Sequence, residues 1–430
     1  MRRIAVIGSG ISGLSVAHAL APQARVTLFE AGAHFGGHSH TVDVRLEGKL
    51  HGVDTGFLVF NHRTYPRLVQ LFQELGVVTA PSDMSFSVQV PGQGLEWSGS
   101  NLNAVFAQRT NLLRPRFLGM LAQILRFNKL CTGIAEAGDE AGMAEPIDQF
   151  LDRHRFGTAF RDWYLLPMLG CIWSCPTEQM LRFPVGTMIR FCHNHGLIQV
   201  NDRPQWHTVV GGSKHYVHKL LMSISDARLR TPVRALRRTS AGVVVATDHG
   251  TEHYDEVVLA CHSDQSLALL ADPSPAERQL LGAIRYQPNH AVLHTDVDVL
   301  PRRRLAWAAW NYERAVNVSR EQSRVCLHYL INKLQPLPWR TPVVVSLNPV
   351  RPIAADKTLG RFDYSHPVFD AAAVAAQRRL PEIQGRSHTW FCGAWTRYGF
   401  HEDGLMSGQA VAEALGRRLA LDPTRELEAA

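Results

Sequence analysis

The stretch RIAVIGSGISGLSVAHALAPQARVTLFE, residues 3–30, decides the fold. It predicts an apolar strand, a glycine-rich turn, a helix rich in alanine and leucine, and a second strand that ends in a carboxylate. Gly8, Gly10 and Gly13 have the spacing of a dinucleotide-binding fingerprint, which allows a tight turn, close approach to a pyrophosphate and close helix–strand packing. Glu30 is placed to hydrogen-bond a ribose hydroxyl. Spacing and context together predict a nucleotide-binding βαβ unit.

The composition is that of a soluble globular protein with room for two domains. The chain has 430 residues, of which 45% are hydrophobic and 19% charged, and no apolar run reaches the ~18 residues of a membrane span. A net charge of +7 favours contact with anions. We see no interleaving of aromatic and basic residues typical of a nucleic-acid module, so nucleic acid is not an expected partner.

The cysteine pattern favours a reducing cytoplasm. There are seven cysteines, an odd number scattered along the chain, which does not resemble a disulfide framework. Cys171 and Cys175 lie close together without a second pair, so we expect buried thiols and no metal site.

Two further glycine pairs predict other close backbone approaches. Gly36 and Gly37 follow soon after Glu30, where a second segment can approach the same ligand. The pair at residues 211–212 precedes a predicted helix at 216–222. There is no second GxGxxG motif, so a separate nicotinamide site is not indicated.

The C-terminal region predicts a strand that ends at Gly393 and a helix that begins at Gly404, with Asp403 as its N-cap. Small residues at the start of this helix would leave its first turns free to lie against a ligand.

Residues 77–204 predict short strands near Phe86 and then a long helical stretch interrupted at Pro115. Five basic side chains alternate there with large apolar ones: Arg109, Arg114, Arg116, Arg126 and Lys129. This pattern fits a patch on an anionic membrane, and it equally fits an ordinary amphipathic helix with a solvated basic face.

Two apolar segments could either pack in the core or line a pocket. One is the run at residues 163–174, and the other is the group of aromatic side chains at Tyr286, Trp307, Trp310 and Tyr312.

The motifs together resemble the flavin-containing amine oxidase superfamily, which also holds phytoene-type desaturases and protoporphyrinogen oxidase. The matching pieces span the chain: the fingerprint with Glu30, the turns at 36–37 and 211–212, Val233, Gly393 and the helix start at 404–408. The resemblance implies an α/β fold in which a Rossmann-type FAD-binding domain is interleaved with an α+β substrate domain. The FAD-binding parts would be residues 1–76, 205–268 and 385–430, and the substrate parts 77–204 and 269–384.

The resemblance also implies FAD as the cofactor and assigns residues to it. The implied cofactor-binding residues are Gly8, Gly10, Ser12, Gly13, Glu30, Gly36, Gly37, His38, Val233, Gly393, Gly404 and Leu405. Two features depart from the amine oxidases: His38 replaces the arginine usual after the glycine pair, and no lysine matches the one placed near flavin N5.

A more specific resemblance is to the subgroup of predicted NAD/FAD-binding proteins associated with cyclopropane fatty-acid synthase. The matching segments are residues 54–61, 206–212, 287–296, 307–312 and 399–404. This resemblance implies oxidation or desaturation of cyclopropane or methyl-branched acyl chains by hydride transfer to flavin, and a functional association with that synthase. It implies a cytoplasmic enzyme with a lipid or other hydrophobic substrate. Whether the enzyme also contacts the inner membrane surface as a peripheral protein stays open.

Histidine titrates near neutral pH, so His294, His401 and His290 are the candidates for the proton acceptor. Two other functions remain open. One is oxidation of an amine or a polyene, and the other is a flavoprotein without turnover that acts as a partner of a lipid methyltransferase.

Overall fold

The computed structural model describes residues 1–199, 203–316 and 324–420. Its strands are β1 Arg3–Ile7, β2 Arg25–Phe29, β3 Thr41–Leu46, β4 Lys49–Asp54, β5 Phe60–Asn61, β6 Thr79–Ser82, β7 Phe86–Val90, β8 Leu95–Ser98, β9 Trp206–Val209, β10 Asp226–Arg228, β11 Val233–Thr239, β12 Gly242–Thr247, β13 Gly250–Tyr254, β14 Glu256–Leu259, β15 Arg285–His294, β16 Trp310–Glu313, β17 Leu327–Leu330, β18 Val344–Leu347, β19 Thr358–Val368 and β20 Thr389–Phe391.

The helices are α1 Ile11–Leu20, α2 Pro66–Glu74, α3 Leu102–Val105, α4 Pro115–Ala137, α5 Ile147–Arg153, α6 Thr158–Phe160, α7 Leu166–Trp173, α8 Thr177–Leu181, α9 Val185–Asn194, α10 Lys214–Leu221, α11 Ser263–Leu269, α12 Pro275–Gly282, α13 Ile331–Leu334, α14 Ala371–Arg379 and α15 His401–Ala420.

A five-stranded parallel sheet in the order β10-β2-β1-β14-β20 carries the fingerprint. Strand β1 is buried on both faces, as its unbroken apolar run requires in a parallel sheet. The five strands come from three distant stretches of the chain. This confirms the predicted α/β class, with a Rossmann-type sheet whose parts are interleaved with a second unit.

The second unit combines a seven-stranded sheet with a group of helices. The sheet order is β19-β15-β18-β17-β16-β7-β8, antiparallel except where β16 runs parallel to β7. Helices α4 to α9 lie between β8 and β9 in the chain. Three smaller sheets complete the fold: β3-β4, β5-β9-β6 and β11-β12-β13.

The division into these five segments stays a prediction, and residues 421–430 of the last segment lie outside the described chain. Two local predictions were wrong. Pro115 does not interrupt a helix but is the first residue of α4, a position where a missing N–H costs nothing. Asp403 is not an N-cap, because the C-terminal helix begins two residues earlier, and its carboxylate accepts a hydrogen bond from the Phe400 N–H at 3.0 Å.

Helix α1 and the C-terminal helix pack closely through glycines. A Cβ added at Gly404 would lie 2.9 Å from Ile11 Cγ2, and one added at Gly408 would lie 2.2 Å from Ser15 Oγ and 2.4 Å from the backbone oxygen of Ser12. Gly404 and Gly408 therefore face another helix, where the sequence interpretation had placed them against a ligand.

We predict that Gly408→Ala destabilises the protein by about 1–3 kcal/mol, because the methyl group has no space against α1. The matched control is Gly133→Ala on α4, where an added Cβ meets nothing within 4 Å. That control should stabilise by about 0.5–1 kcal/mol through helix propensity alone. Urea unfolding measures both, and equal effects of the two variants would contradict the packing argument.

Candidate active site

A cavity of about 760 Å³ runs from the fingerprint turn into the second unit. One end is formed by the turn after β1 and the start of α1, and the other by side chains from the seven-stranded sheet and helices α7 and α9. Among the described residues, Glu30 is the only carboxylate in its wall, and no lysine, arginine or aspartate lines it.

The fingerprint turn forms an open cradle at one end of the cavity. Gly8 adopts φ +102°, and a Cβ at Gly13 would lie 1.9 Å from the Gly8 carbonyl oxygen, so both positions need glycine. A Cβ at Gly10 would meet nothing within 4 Å and would enter the cavity. No side chain caps the N-terminus of α1, so its free N–H groups can bind an anion such as a pyrophosphate.

Glu30 fixes the turn and borders the cavity. Its carboxylate accepts hydrogen bonds from the Ser9 N–H at 3.0 Å, the Ser9 hydroxyl at 2.5 Å and the Gly32 N–H at 2.7 Å. The residue stands at the end of β2, where the fingerprint requires it. Its predicted role on the ribose stays a prediction.

The second glycine turn lies directly on the first. A Cβ at Gly37 would lie 3.2 Å from Gly10 Cα, and Gly36 also borders the cavity. The next residue, His38, lines the cavity and is partly buried, and its buried Nε2 has no hydrogen-bond partner among the described residues. Burial and the neighbouring His366 lower the pKa of His38 well below its ordinary value, so its ring is neutral. An unpaired buried nitrogen in a cavity wall is a group that a bound ligand would satisfy.

His401 borders the cavity at the first residue of the C-terminal helix. Its Nε2 lies 2.6 Å from the Tyr216 hydroxyl, which also contacts the Ser39 hydroxyl. Its ring stacks on Phe57 with centroids 3.9 Å apart. Burial lowers the pKa of His401 to about 3, so the imidazole is neutral at physiological pH. Its Nδ1 has no hydrogen-bond partner in the described part of the chain.

The far end of the cavity is an apolar arm. Its walls include Met84, Phe86, Met168, Cys171, Ile172 and Leu197. Trp310 and Tyr329 add an edge-to-face aromatic pair with centroids 4.9 Å apart. The segment at 163–174 is thus partly core and partly cavity wall, while Trp310 lines the cavity and Trp307 does not.

The structure brings most of the predicted site residues to this one cavity. Those in its wall are Gly8, Gly10, Ser12, Glu30, Gly36, Gly37, His38, Val233, Gly393 and His401. Gly13, Gly404 and Leu405 lie behind the wall: Gly13 packs on the turn, Gly404 packs on α1, and Leu405 is fully buried. The cofactor roles of all these residues stay predictions.

His294 does not reach the cavity. It is fully buried on β15, where its Nδ1 accepts from the Asp296 N–H at 3.0 Å and its Nε2 donates to the Ser346 hydroxyl at 2.7 Å. That hydroxyl in turn donates to His328 Nδ1 at 2.7 Å, and His328 Nε2 donates to Glu313 at 2.9 Å. Burial lowers the pKa of His294 to about 4. This chain of bonds occupies both ring nitrogens, so we assign no proton-acceptor role to His294.

His290 also lies outside the cavity wall. Its Nδ1 lies 2.9 Å from the exposed carboxylate of Asp363. One group of potential metal ligands occurs in the described chain, formed by Glu313, Cys326 and His328, with ligand atoms within 4.8 Å of one another. Because Glu313 and His328 already hydrogen-bond each other, we propose no metal there.

Sequence reasoning missed several residues in the cavity wall or behind it. His262 and His366 line the cavity, and Tyr216 supports His401 from outside it. None of them belongs to a spaced motif, and each reaches the site only through tertiary packing. Only the predicted helix after residues 211–212 could have indicated that Tyr216 lies near the site.

Asp54 is a buried centre that joins three segments beside the site. Its carboxylate accepts from the Thr41 hydroxyl at 2.5 Å, from the Ser213 N–H and hydroxyl at 2.9 and 2.8 Å, and from the Gln335 amide at 2.8 Å. Burial raises its pKa to about 6, although the hydrogen bonds oppose the shift.

The chain matches one protein family over most of its length. Residues 11–295 match the profile of the flavin-containing amine oxidoreductases. The chain belongs to this family. Family membership implies a flavin, typically FAD, and the open cradle at Gly10, the uncapped N-terminus of α1 and the unpaired His38 nitrogen fit that cofactor.

A relative and two solved structures support the family assignment and the fold. The "Putative flavin-containing monoamine oxidase AofH" of Mycobacterium tuberculosis is 25% identical over 292 residues. The match covers 65% of this chain and 61% of that relative, so the chain spans less than two thirds of the relative's length.

Cyclohexylamine oxidase from Brevibacterium oxydans has a TM-score of 0.69 at 14% identity, covering 97% of this chain and 99% of that one. A CLA-producing fatty acid isomerase from P. acnes has a TM-score of 0.66 at 14% identity, covering 97% and 98%. These likenesses show the fold. Within the described residues, no helix combines the length and apolar character needed to cross a bilayer.

We predict that Gly10→Ala folds normally but retains FAD at least about tenfold more weakly, because the added methyl group enters the cradle while touching no protein atom within 4 Å. The control is Gly92→Ala, where a Cβ also meets nothing within 4 Å, far from the cavity wall. Flavin absorbance after dialysis measures retention. Wild-type retention by Gly10→Ala would contradict the placement of the cofactor.

We predict that Asp54 makes stability fall as pH rises. Its folded pKa of about 6 exceeds the ordinary value of 3.8, so the folded state binds the proton more tightly than the unfolded state. Proton binding therefore stabilises the fold at low pH, and this stabilisation is lost as the pH rises from 3.8 through about 6. The free energy of unfolding of wild type minus that of Asp54→Asn should therefore fall by about 2.4 kcal/mol from pH 4 to pH 7. Urea unfolding across this range measures it. A difference that grows with pH would mean that the hydrogen bonds outweigh burial.

Proposed function

We propose that this chain is an FAD-dependent oxidoreductase that oxidises or desaturates an apolar acyl chain. The observation that carries the proposal is the cavity itself, which joins a nucleotide cradle to an apolar arm without a lysine, arginine or aspartate in the described wall. FAD, when bound, supplies the hydride acceptor. The finer proposal, from the sequence resemblance, is a cyclopropane or methyl-branched chain handled in association with cyclopropane fatty-acid synthase.

The arm supplies binding and orientation. Apolar side chains such as Met168, Ile172 and Leu197 gain free energy by covering a methylene chain and excluding water. Such a wall can hold the reacting C–H bond of the substrate in one position. Holding two reactants in place in this way can supply a large part of the rate acceleration of a step between two molecules. A charged substrate would find no ionic partner in the arm.

We propose that His401 takes up the proton that leaves with the hydride. In a desaturation, two C–H bonds break on adjacent carbons, one giving the hydride and the other the proton, and a C=C bond forms. His401 Nδ1 takes up this proton, and the Tyr216 oxygen, whose own hydrogen is directed to Ser39 Oγ, accepts the hydrogen bond from Nε2–H and stabilises the imidazolium that forms. Because burial lowers the pKa of His401 to about 3, this imidazolium is short-lived and releases the proton to water.

We predict that Tyr216→Phe lowers kcat about 100-fold and leaves KM and FAD content unchanged, because only the oxygen that accepts from His401 Nε2–H is lost. Tyr254→Phe is the control, since that hydroxyl contacts Glu252 away from the cavity. Steady-state kinetics measures both variants, with the lipid that bleaches the flavin in the titration described below as the substrate. A wild-type kcat for Tyr216→Phe would contradict a role for the Tyr216 oxygen in proton uptake.

Amine oxidation is the second candidate function, favoured by the family and by the aromatic pair Trp310 and Tyr329, which could face a substrate cation. Against it stands the absence of lysine from the described cavity wall. Polyene desaturation would use the same apolar arm. A flavoprotein that only assists a lipid methyltransferase would keep the cradle without turnover.

Anaerobic titration of the FAD-loaded protein separates these functions. Phospholipids and free fatty acids with cyclopropane, methyl-branched or unsaturated chains are added in turn, with primary amines and a carotenoid as further arms. Bleaching of the oxidised flavin band by one acyl class is the expected result. Bleaching by amines alone would favour amine oxidation, and bleaching by the carotenoid alone would favour polyene desaturation; either result would contradict the proposal. No bleaching with any compound would favour the non-catalytic function.

We predict that Ile172→Trp abolishes bleaching by the reactive lipid while FAD stays bound, because the indole fills the arm and leaves the cradle intact. Leu50→Trp, at an exposed site outside the cavity wall, is the control and should bleach normally.

A further inference from the structure

Exposed leucines are concentrated in one part of the surface. The described chain exposes fourteen large hydrophobic side chains, and five of them lie within residues 102–125. They are Leu102 at 79% exposure, Leu112 at 50%, Leu113 at 86%, Leu118 at 42% and Leu125 at 61%. Single exposed leucines need no explanation, but such a cluster marks an interaction surface.

Helix geometry makes most of this cluster one continuous face. Leu118 and Leu125 are two turns apart on α4 and share its outer face, while Phe117 and Phe127 are buried on the inner face. Leu112 and Leu113 belong to the short 3₁₀ turn immediately before α4. The leucines therefore extend along the outside of α4 and across its N-terminal end.

The charge of this segment is uniformly positive. No aspartate or glutamate occurs from residue 97 to residue 135, whereas five basic residues do: Arg109, Arg114, Arg116, Arg126 and Lys129. They supply +5 in a chain whose net charge is +7. Within the described residues none of the five pairs with a carboxylate. Arg116 and Arg126 instead lie over the rings of Trp163 and Phe156.

We infer that this basic leucine face, residues 102–129, docks on the surface of an anionic phospholipid membrane. Leucines can enter the boundary between headgroups and acyl chains while the surrounding cations contact lipid phosphates. A second copy of the chain is disfavoured, because two such faces would bring five positive charges against five. The exposed leucines also distinguish the face from a purely electrostatic nucleic-acid surface.

The face lies one helix away from the cavity. Helix α4 packs on α9, and Phe191 of α9 borders the apolar arm. Docking would therefore bring the lipid surface close to the arm. The inference does not require the proposed reaction, since a protein could dock in this way whatever its substrate.

Vesicle sedimentation of the full-length, FAD-loaded chain tests the docking face. Wild type should bind vesicles that contain phosphatidylglycerol, bind pure phosphatidylcholine much more weakly, and be released by salt. Leu113→Ser with Leu118→Ser, and separately Arg114→Gln with Lys129→Gln, should each weaken binding about tenfold or more. Flavin spectra and thermal melting should match wild type, because these side chains lie outside the cavity wall.

Matched pairs elsewhere on the surface are the controls. Val78→Ser with Met222→Ser removes equally exposed apolar side chains, and Arg237→Gln with Arg378→Gln removes two positive charges. Both should bind like wild type. The inference is overturned if wild type ignores anionic vesicles, if the controls lose as much binding as the face variants, or if the face variants instead dissolve a dimer seen by size exclusion.

Discussion

The contact between the fingerprint helix and the C-terminal helix is the constraint on which the rest of the structure depends. Gly404 and Gly408 let the two backbones approach so closely that no side chain fits between them. The contact brings the last part of the described chain to the first, and it fixes where the C-terminal helix begins. His401, the first residue of that helix, thereby enters the same cavity wall as Gly10 and His38.

The cavity that results is nearly free of fixed charge. Burial lowers the pKa of His38, His366 and His401, so the histidines in its wall are neutral groups that can donate and accept hydrogen bonds. A charged group lies outside the wall at Asp54, whose carboxylate is surrounded by several hydrogen-bond donors. A neutral wall suits an apolar substrate and leaves a bound cofactor as the main source of charge in the site.

The sequence pattern predicted those parts of the fold that depend on residues close together in the chain. The strand, turn and helix of the fingerprint follow from periodicity and glycine spacing, and their place in a parallel sheet follows from the unbroken apolar strand. His294 shows where this reasoning ends, because its partners Ser346 and His328 come from other strands and occupy both of its nitrogens. Tyr216 and His366 were missed for the same reason. Pro115 was misread because proline both breaks a helix and begins one, and local sequence alone did not separate the two roles.

We propose that one cavity brings the flavin and an apolar chain together. Quenching of flavin fluorescence by a brominated fatty acid tests this proposal most directly, since a bromine atom quenches only at short range. We expect saturable quenching of the FAD-loaded protein that an unlabelled fatty acid reverses and that Ile172→Trp abolishes. Binding of the brominated acid without any quenching would place the acyl chain elsewhere and contradict the proposal.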